Sequence, residues 1–247
     1  MDTGFDIPAI RELACSLRGL ATATDVPATS ARGLIDWVNW LGFRAVVLDT
    51  VHPELRPRSL DRSSRRDIAA SLKRMQLAFA GIDVFVPAAH FTDLEHSDRA
   101  VAAVLGAIEL AHDLSTLGAG GKPVVCLDLP DEPVEGVVGE IGAQAERHGV
   151  LLAALRGGQS GIGRSVDLDA IADAGVDPAG ELADSTCVQA RWGGPRAGRR
   201  VGLEPIAAAL SMKPGGASCV LDLSHGRDAA ITAQNALDAW SKISLFS

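Results

Sequence analysis

The sequence lacks the short patterns that identify several common kinds of site. Its four cysteines lie far apart, so it contains no CxxC motif for a metal or a redox pair. No charged segment followed by an apolar one opens the chain, and no apolar run approaches the ~20 residues of a membrane span. These absences predict a cytoplasmic protein with reduced thiols and no membrane partner.

Two glycine-rich segments lack the surroundings that nucleotide-binding loops require. Segment 118–122 (GAGGK) is followed by Pro123 and a predicted strand, whereas a P-loop carries Ser or Thr after its lysine and opens a helix. Segment 157–163 (GGQSGIG) is not followed by a helix, as a dinucleotide fingerprint would be. Both segments are therefore interpreted as connections between elements.

The charge balance bears on the partners of the protein. The formal net charge is −8 and the isoelectric point is about 5.2, which argues against nucleic acid as the main partner. A local basic patch could still bind one phosphate or carboxylate. The 247 residues, of which 47% are hydrophobic, suffice for one barrel-sized domain that spans residues 1–247.

Short apolar runs that predict strands alternate with segments of helical periodicity along the whole chain. The eight predicted strands are 13–17, 44–48, 82–86, 124–129, 150–155, 164–168, 187–192 and 217–223. This alternation predicts a (β/α)8 TIM barrel. The open doubly wound sheet is the alternative, but it requires a glycine-rich turn after the first strand, and residues 19–21 do not supply one.

The predicted helices differ in regularity. Thr29 or Ser30 is a candidate cap for a first helix that ends at Gly42, and further helices are predicted at 63–77, around 101–111 and 137–145, and at 227–243. Residues 169–184 are broken by Gly175 and Pro178. Segment 156–163 is too short for a crossover helix, since a complete crossover needs at least ~10–12 residues. We therefore expect the barrel to be irregular around strands five and six.

Polar residues follow several predicted strands, where TIM barrels carry their sites. Asp49 and His52 follow the second strand and are candidate substrate-binding residues. Arg56 and Arg58 lie just beyond them, and their two guanidinium groups could hold a phosphate or carboxylate, with Arg58 as the candidate substrate-binding residue. Alternatively, the two arginines are surface residues that pair with Asp61 or Asp67.

Three further polar or aromatic residues end predicted strands. His90 follows the third strand and could act as a general acid or base, a hydroxyl binder or a metal ligand, or simply as a structural hydrogen-bonding group. Arg191 and Trp192 end the seventh strand. The arginine could anchor an anion, and the indole could stack on a sugar or pack against the neighbouring loop.

Carboxylates at several strand ends are candidate metal ligands. Asp128, Asp169 and Asp222 could converge around a divalent cation, and oxygen-rich sites suit Mg²⁺ or Mn²⁺. His225, three residues beyond Asp222, could add a nitrogen. Asp169, Asp222 and His225 are therefore the candidate metal ligands. Alternatively, each carboxylate caps the next helix or pairs with an arginine.

Three segments carry a resemblance to a known family. They are 56–63 (RPRSLDRS), 81–91 (GIDVFVPAAHF) and 220–223 (VLDL). In these segments and in the order of its elements, the chain resembles an uncharacterised bacterial branch of the sugar phosphate isomerase/epimerase-like proteins with a xylose-isomerase-like TIM barrel. The resemblance implies a divalent metal (Mn, Mg or Zn) at the barrel mouth, held by acidic residues and a histidine, and paired glutamates that move a proton between sugar carbons. It implies that Asp169 and Asp222 are the carboxylates after strands six and eight.

The chain also departs from that family. Its fifth strand ends in Arg156 where the family has a glutamate, and its seventh strand ends in Arg191 and Trp192 with no histidine. Two of the four expected ligands are therefore missing, which predicts weak or absent metal binding.

The resulting hypothesis is an isomerase or epimerase of a small sugar or sugar acid. His90 would act as acid or base, and Arg58 and Arg191 would anchor an anionic substituent. The alternative is a non-catalytic barrel that binds an anionic metabolite. A metal-dependent endonuclease is disfavoured by the scattered histidines and the acidic surface. Barrels of this kind commonly dimerise, so a homodimer is an expectation.

Overall fold

A computed structural model of the protein describes residues 12–120, 122–156, 161–184, 186–195, 201–213, 217–224 and 228–244. Its strands are β1 Ala14–Ser16, β2 Ala45–Asp49, β3 Ala78–Val84, β4 Val124–Leu127, β5 Leu151–Ala154, β6 Gly163–Asp167, β7 Cys187–Trp192 and β8 Ser218–Leu221. Its α-helices are α1 Ala31–Leu41, α2 Arg62–Arg74, α3 Leu94–Thr116, α4 Val137–His148, α5 Leu168–Asp173, α6 Pro178–Ala183, α7 Leu203–Ser211 and α8 Ala229–Ser244.

The eight strands form a closed parallel barrel in sequence order. β1 closes the sheet by pairing with β8, with Ala14 opposite Val220 and Cys15 opposite Leu221. The predicted (β/α)8 TIM barrel is therefore confirmed, and all eight strand ends point to one mouth. No helix within the described residues is long and apolar enough to cross a membrane.

The connection from β5 to β6 is short because of the register of the two strands. Gly163, the first residue of β6, pairs with Ala153, the third residue of β5. The chain therefore does not have to return along the full length of β5 before it enters β6. Residues 155–156 and 161–162, the described part of this connection, contain no helix, in agreement with the predicted irregularity.

Local sequence signals explain several helix ends. The Ser30 side chain accepts a hydrogen bond from the Gly33 amide at the start of α1, and Gly42 ends the helix with φ of 105°. Asp61 caps α2 in the same way. Pro178 opens α6 at a position where its missing N–H costs no hydrogen bond.

Some predicted bounds were wrong. β3 begins at Ala78, four residues earlier than predicted, because its first residues pair with Ala45 and Val46 of β2. β4 ends at Leu127 and β8 at Leu221, two residues before the apolar runs end. Helix α7 was not predicted. Residues 169–184, predicted only as a broken stretch, contain most of α5 and all of α6.

The core has two layers of different character. The large apolar cluster lies between the outer face of the barrel and the helices, and it contains Phe43, Phe79 and Leu72. Inside the barrel, small clusters fill the volume, one of them made of Ala14, Ala45, Val47 and Val220. Because these residues are small and stop short of the strand ends, the upper interior is left to polar side chains.

Candidate functional site

A buried ion pair crosses the interior of the barrel. The Arg191 guanidinium from β7 meets the Asp83 carboxylate from β3 in a two-pronged contact, with Nη1–Oδ1 at 2.7 Å and Nη2–Oδ2 at 2.9 Å. The Arg191 side chain is 4% exposed and the Asp83 side chain is fully buried. Such parallel N–H···O bonds are the strongest geometry available to this pair.

A second carboxylate completes the coordination of this guanidinium. Asp222, directly after β8, accepts hydrogen bonds through Oδ2 from Arg191 Nη2 at 2.7 Å and from Nε at 3.2 Å. Its Oδ1 accepts from the Ser224 amide at 3.0 Å. Arg191 Nη1 also lies 3.4 Å from the Gln189 side-chain oxygen. All three guanidinium nitrogens therefore already donate hydrogen bonds within the protein.

Residues from the first strand extend the cluster. The Ser16 hydroxyl donates to Asp83 Oδ2 at 2.5 Å and accepts from the Arg18 amide at 3.1 Å. The Arg18 side chain then turns towards the mouth, where its Nη1 lies 3.3 Å from Asp222 Oδ2. Its guanidinium carbon stands 3.7 Å from the centroid of the Phe85 ring, a favourable cation–π distance. We call Ser16, Arg18, Asp83, Arg191 and Asp222 the axial cluster.

The charges of the axial cluster stabilise one another. Burial alone would raise the pKa of Asp222, but Arg191 and the Ser224 hydrogen bonds outweigh it and hold that pKa at about 2. Burial alone would lower the pKa of Arg191, and the Asp83 and Asp222 carboxylates instead raise it well above its ordinary value. The Asp222 carboxylate and the Arg191 guanidinium are therefore ionised together at neutral pH.

A cavity of roughly 450 Å³ opens at the mouth above this cluster. It is lined by Arg18, Leu155, Asp167, Asp169, Ala170, Asp173, Arg191, Trp192, Gly193 and Asp222. Four of the sequence-predicted site residues, Asp169, Arg191, Trp192 and Asp222, therefore lie together. Asp169 is largely buried, and its Oδ2 accepts a hydrogen bond from the Gly193 amide at 2.7 Å. We call this space the mouth cavity.

The two other candidates near β2 have structural contacts. Asp49 is buried at the end of β2, and its Oδ1 accepts from the Val51 amide at 2.9 Å. Burial, together with the nearby Asp83 carboxylate, raises the pKa of Asp49. His52 uses both ring nitrogens: Nε2 lies 2.8 Å from the Thr29 carbonyl oxygen, and Nδ1 accepts from the Glu54 amide at 3.2 Å. Through the Nδ1 contact, His52 caps the short 3-10 helix that follows it.

The remaining candidates lie away from the mouth cavity or outside the described residues. His90 lies in a short 3-10 helix after β3, and its ring stacks on that of His96 with centroids 5.0 Å apart. His90 does not line the mouth cavity. Arg58 lines a different cavity, beside α3. His225 lies outside the described residues, so its proposed ligand role stays a prediction.

The described residues of the axial cluster do not fit a divalent metal ion. Asp222 and Asp83 already share the Arg191 guanidinium, which stands at the end of β7 where the resemblance implied a histidine ligand. Arg156, in place of the expected glutamate, pairs instead with Asp128 through bonds of 2.8 and 2.5 Å. Arg191 and Arg156 therefore stand where two metal ligands were expected. Each of them forms an ion pair with a carboxylate that could otherwise bind a metal.

One group elsewhere has ligand-type chemistry. Asp93, Glu95 and His96 converge at the start of α3, and they are the one such group of three among the described residues. Asp93 accepts from the Glu95 amide and contacts His96 Nδ1, so it caps the helix. This contact pattern explains the convergence without an ion.

Sequence reasoning missed Ser16, Arg18, Asp83 and Phe85. Asp83 gave one usable signal, because it is a lone carboxylate between Ile82 and Val84 within a strand run that is buried on both faces. A charge in such a position is rare unless it is paired. Its partner, Arg191, is 108 residues away, and only the closed barrel brings the two together.

Comparison with known proteins shows a likeness of fold. No protein-family model and no curated protein matches the chain. An L-ribulose 3-epimerase structure superposes with a TM-score of 0.65 at 15% identity, over 95% of this chain and 94% of that one. The D-allulose 3-epimerase from Methylomonas sp. in complex with D-allulose gives 0.64 at 12% identity, over 94% and 97% of the two chains.

A third structure agrees with these two. A sugar phosphate isomerase/epimerase from Parabacteroides distasonis ATCC 8503 superposes with a TM-score of 0.62 at 10% identity, over 96% of both chains. The likeness extends over almost the whole of each protein. The chain therefore has the xylose-isomerase-like TIM-barrel fold of sugar epimerases and sugar phosphate isomerase/epimerase proteins.

Proposed function

We propose that the mouth cavity binds a small neutral sugar and does so without a divalent metal. The observation that carries this proposal is the coordination of Arg191, because its guanidinium binds Asp83 and Asp222 in place of an ion. The fold shared with a D-allulose 3-epimerase bound to D-allulose supports the class of ligand.

The composition of the cavity wall favours a neutral ligand over an anion. Four aspartates line the cavity and only two arginines oppose them, so its net charge is negative. The N–H groups of Arg191 already donate to groups within the protein, so this guanidinium cannot form a bidentate contact with a carboxylate or phosphate. Carboxylates accept hydrogen bonds from sugar hydroxyls, and Trp192 adds an aromatic surface. The volume lies within the usual 300–1,000 Å³ of small-molecule sites.

Titration calorimetry of EDTA-treated protein with neutral ketohexoses and aldohexoses, and with the matching sugar acids, tests this proposal. We expect saturable binding of at least one neutral sugar, weaker binding of its acid, and no change when Mn²⁺, Mg²⁺ or Zn²⁺ is added. Asp169→Asn should weaken binding while keeping an oxygen for the Gly193 amide. Asp36→Ala, an exposed acid on α1, is the control.

Two results would overturn the proposal. Binding that occurs only with an added metal would restore Asp169, Asp222 and His225 as ligands. Binding of no sugar under any condition, with the folded state verified by circular dichroism, would remove the sugar site altogether.

Isomerisation or epimerisation of the bound sugar is the second candidate, favoured by Asp169 facing the same cavity as Asp222. A proton shuttle between the two is disfavoured because Asp222, with a pKa of about 2, is a weak base.

Proton NMR in D2O tests this second candidate. We expect no exchange of sugar C–H for deuterium. Exchange that Asp169→Asn abolishes would establish the enzyme instead. A role for His90 would require its ring to leave the stack on His96.

A further inference from the structure

A second cavity lies beside the barrel mouth, between the loop after β2 and helix α3. Its volume is roughly 560 Å³, and its wall includes Arg56, Arg58, Arg65, Arg99, Phe85 and Glu109. Phe85 lies between this cavity and the axial cluster, because its ring also contacts Arg18. The Arg18 guanidinium carbon lies 3.7 Å from the ring centroid. We call this space, with its four arginines, the arginine cleft.

The arginine cleft has the opposite charge from the rest of the molecule. Four guanidiniums and one carboxylate, Glu109, line it, which gives a local charge of +3 in a chain whose net charge is −8. Arg58 and Arg99 are exposed, and neither forms an ion pair with any described residue. Arg56 makes a single long contact of 3.4 Å with the Val51 carbonyl oxygen. Three of the four guanidiniums therefore retain donors for a ligand.

The fourth arginine, Arg65, fixes the loop that carries Arg56 and Arg58, whereas Arg99 lies on helix α3. Arg65 donates to the carbonyl oxygens of Leu60 and Pro57 at 3.2 and 3.4 Å, and its Nη1 pairs with Asp113 of α3 at 2.5 Å. The loop also packs closely on α3, since a Cβ added at Gly106 would lie 3.2 Å from Pro57 Cβ. The guanidiniums of Arg56 and Arg58 are therefore attached to backbone that is held in place.

We propose that the arginine cleft binds the phosphate group of a small phosphorylated metabolite. Guanidinium groups present paired donors that match phosphate oxygens, and three such groups can surround a dianion. The volume admits a small molecule, and the net charge of −8 over the chain argues against a nucleic acid as the ligand. The apolar part of the wall, with Val84 and Val86, contacts the rest of that molecule. This site does not depend on the sugar proposed for the mouth cavity.

Calorimetric titration with inorganic phosphate tests the cleft in the full chain. We expect saturable binding that Arg58→Gln/Arg99→Gln weakens about ten-fold or more, since each lost guanidinium removes charge-assisted hydrogen bonds. The matched control is Arg32→Gln/Arg74→Gln, which removes the same charge from two exposed arginines that line another cavity. Acetate, with one negative charge, should bind more weakly than phosphate. Asp169→Asn should leave phosphate binding unchanged.

Three outcomes would overturn this proposal. They are no saturable phosphate binding by the wild type, equal weakening by both double variants, and a change of phosphate affinity in either direction in Asp169→Asn. The second outcome would mean that only net charge matters, and the third would place the anion in the mouth cavity. Glutamine keeps most of the length of the arginine side chain, and all four positions are exposed, so both variants are expected to fold.

Discussion

Arg191 takes part in more contacts of the axial cluster than any other side chain described here, and its removal should be costly. Replacing it with methionine keeps the apolar stem and leaves Asp83 buried without a cation. Breaking a buried pair by removing one partner costs about 3–5 kcal/mol. We expect Arg191→Met to lower the free energy of unfolding by this amount, measured by urea denaturation.

Arg156→Met provides the control for that measurement. Arg156 also pairs with a carboxylate, Asp128, but its side chain is 69% exposed. Exposed pairs contribute at most about 1 kcal/mol. If the two substitutions lowered the free energy of unfolding equally, the burial of Arg191 would not determine how much its ion pair contributes to stability. In that case Arg191→Met/Asp83→Asn should also fail to recover stability.

The Asp222 carboxylate should make the fold sensitive to acid. Its pKa in the folded protein is about 2, below the ~3.9 of an unfolded aspartate. A lowered pKa contributes stability that is complete above the unfolded pKa and is lost as the pH falls from about 4 to about 2. The contribution is about 2–3 kcal/mol, from a difference of roughly two pKa units. Urea midpoints measured across this window should fall less steeply in Asp222→Asn than in the wild type.

Ionisation of Asp49 should affect the free energy of unfolding in the opposite direction from ionisation of Asp222. Burial and the Asp83 carboxylate raise its pKa, so its ionised form opposes folding at neutral pH. Asp49→Asn keeps an oxygen for the Val51 amide and removes the charge. We expect the variant to be more stable than the wild type at neutral pH, and the difference to vanish below the unfolded pKa of ~3.9. Asp36→Asn, which makes the same substitution at an exposed position, is the control.

Individual residues limit how much of the site the sequence predicts. Asp169, Arg191, Trp192 and Asp222 were found because each lies at or just beyond a strand end. The residues that they contact do not all lie at strand ends. Asp83 lies within a strand, and nothing local to it indicates that Arg191 faces it across the barrel. Pairings over such separations depend on the closed sheet, so local patterns do not predict them.

At the level of the element, two glycines that look alike in sequence should respond differently to alanine. A Cβ on Gly81 in β3 would lie 2.1 Å from the Val124 carbonyl oxygen, so neighbouring backbone must move. Gly142 in α4 has no atom within 4 Å of that position. We expect Gly81→Ala to destabilise by about 1–3 kcal/mol and Gly142→Ala to stabilise by about 0.5–1 kcal/mol. Urea denaturation of both variants measures this, and the same sign for both would contradict it.

Element existence was predictable, and element bounds less so. The strand β7 was predicted with its observed limits, because its run ends at a Gly-Gly pair. β4 and β8 ended earlier than their apolar runs, since a strand ends where its neighbour stops pairing and not where hydrophobicity stops. The register that allows the short β5–β6 connection is likewise a property of two strands together.

At the scale of the whole molecule, the closed sheet should unfold as one unit. Every strand pairs with two neighbours, so loss of one strand opens the barrel. The single domain over residues 1–247 remains a prediction. We expect far-ultraviolet circular dichroism and the fluorescence of Trp37 in α1, Trp192 in β7 and Trp240 in α8 to report the same urea midpoint. Separate midpoints would indicate two folding units.

The Arg191 guanidinium has a consequence for how the protein depends on its surroundings. A bound ion can be removed by a chelator, exchanged for a competing ion, or be scarce when the chain is made. The positive charge on the barrel axis is instead a covalent part of the chain, fixed by hydrogen bonds to Asp83 and Asp222. The charge that faces Asp83 and Asp222 is therefore present in every copy as soon as the chain has folded.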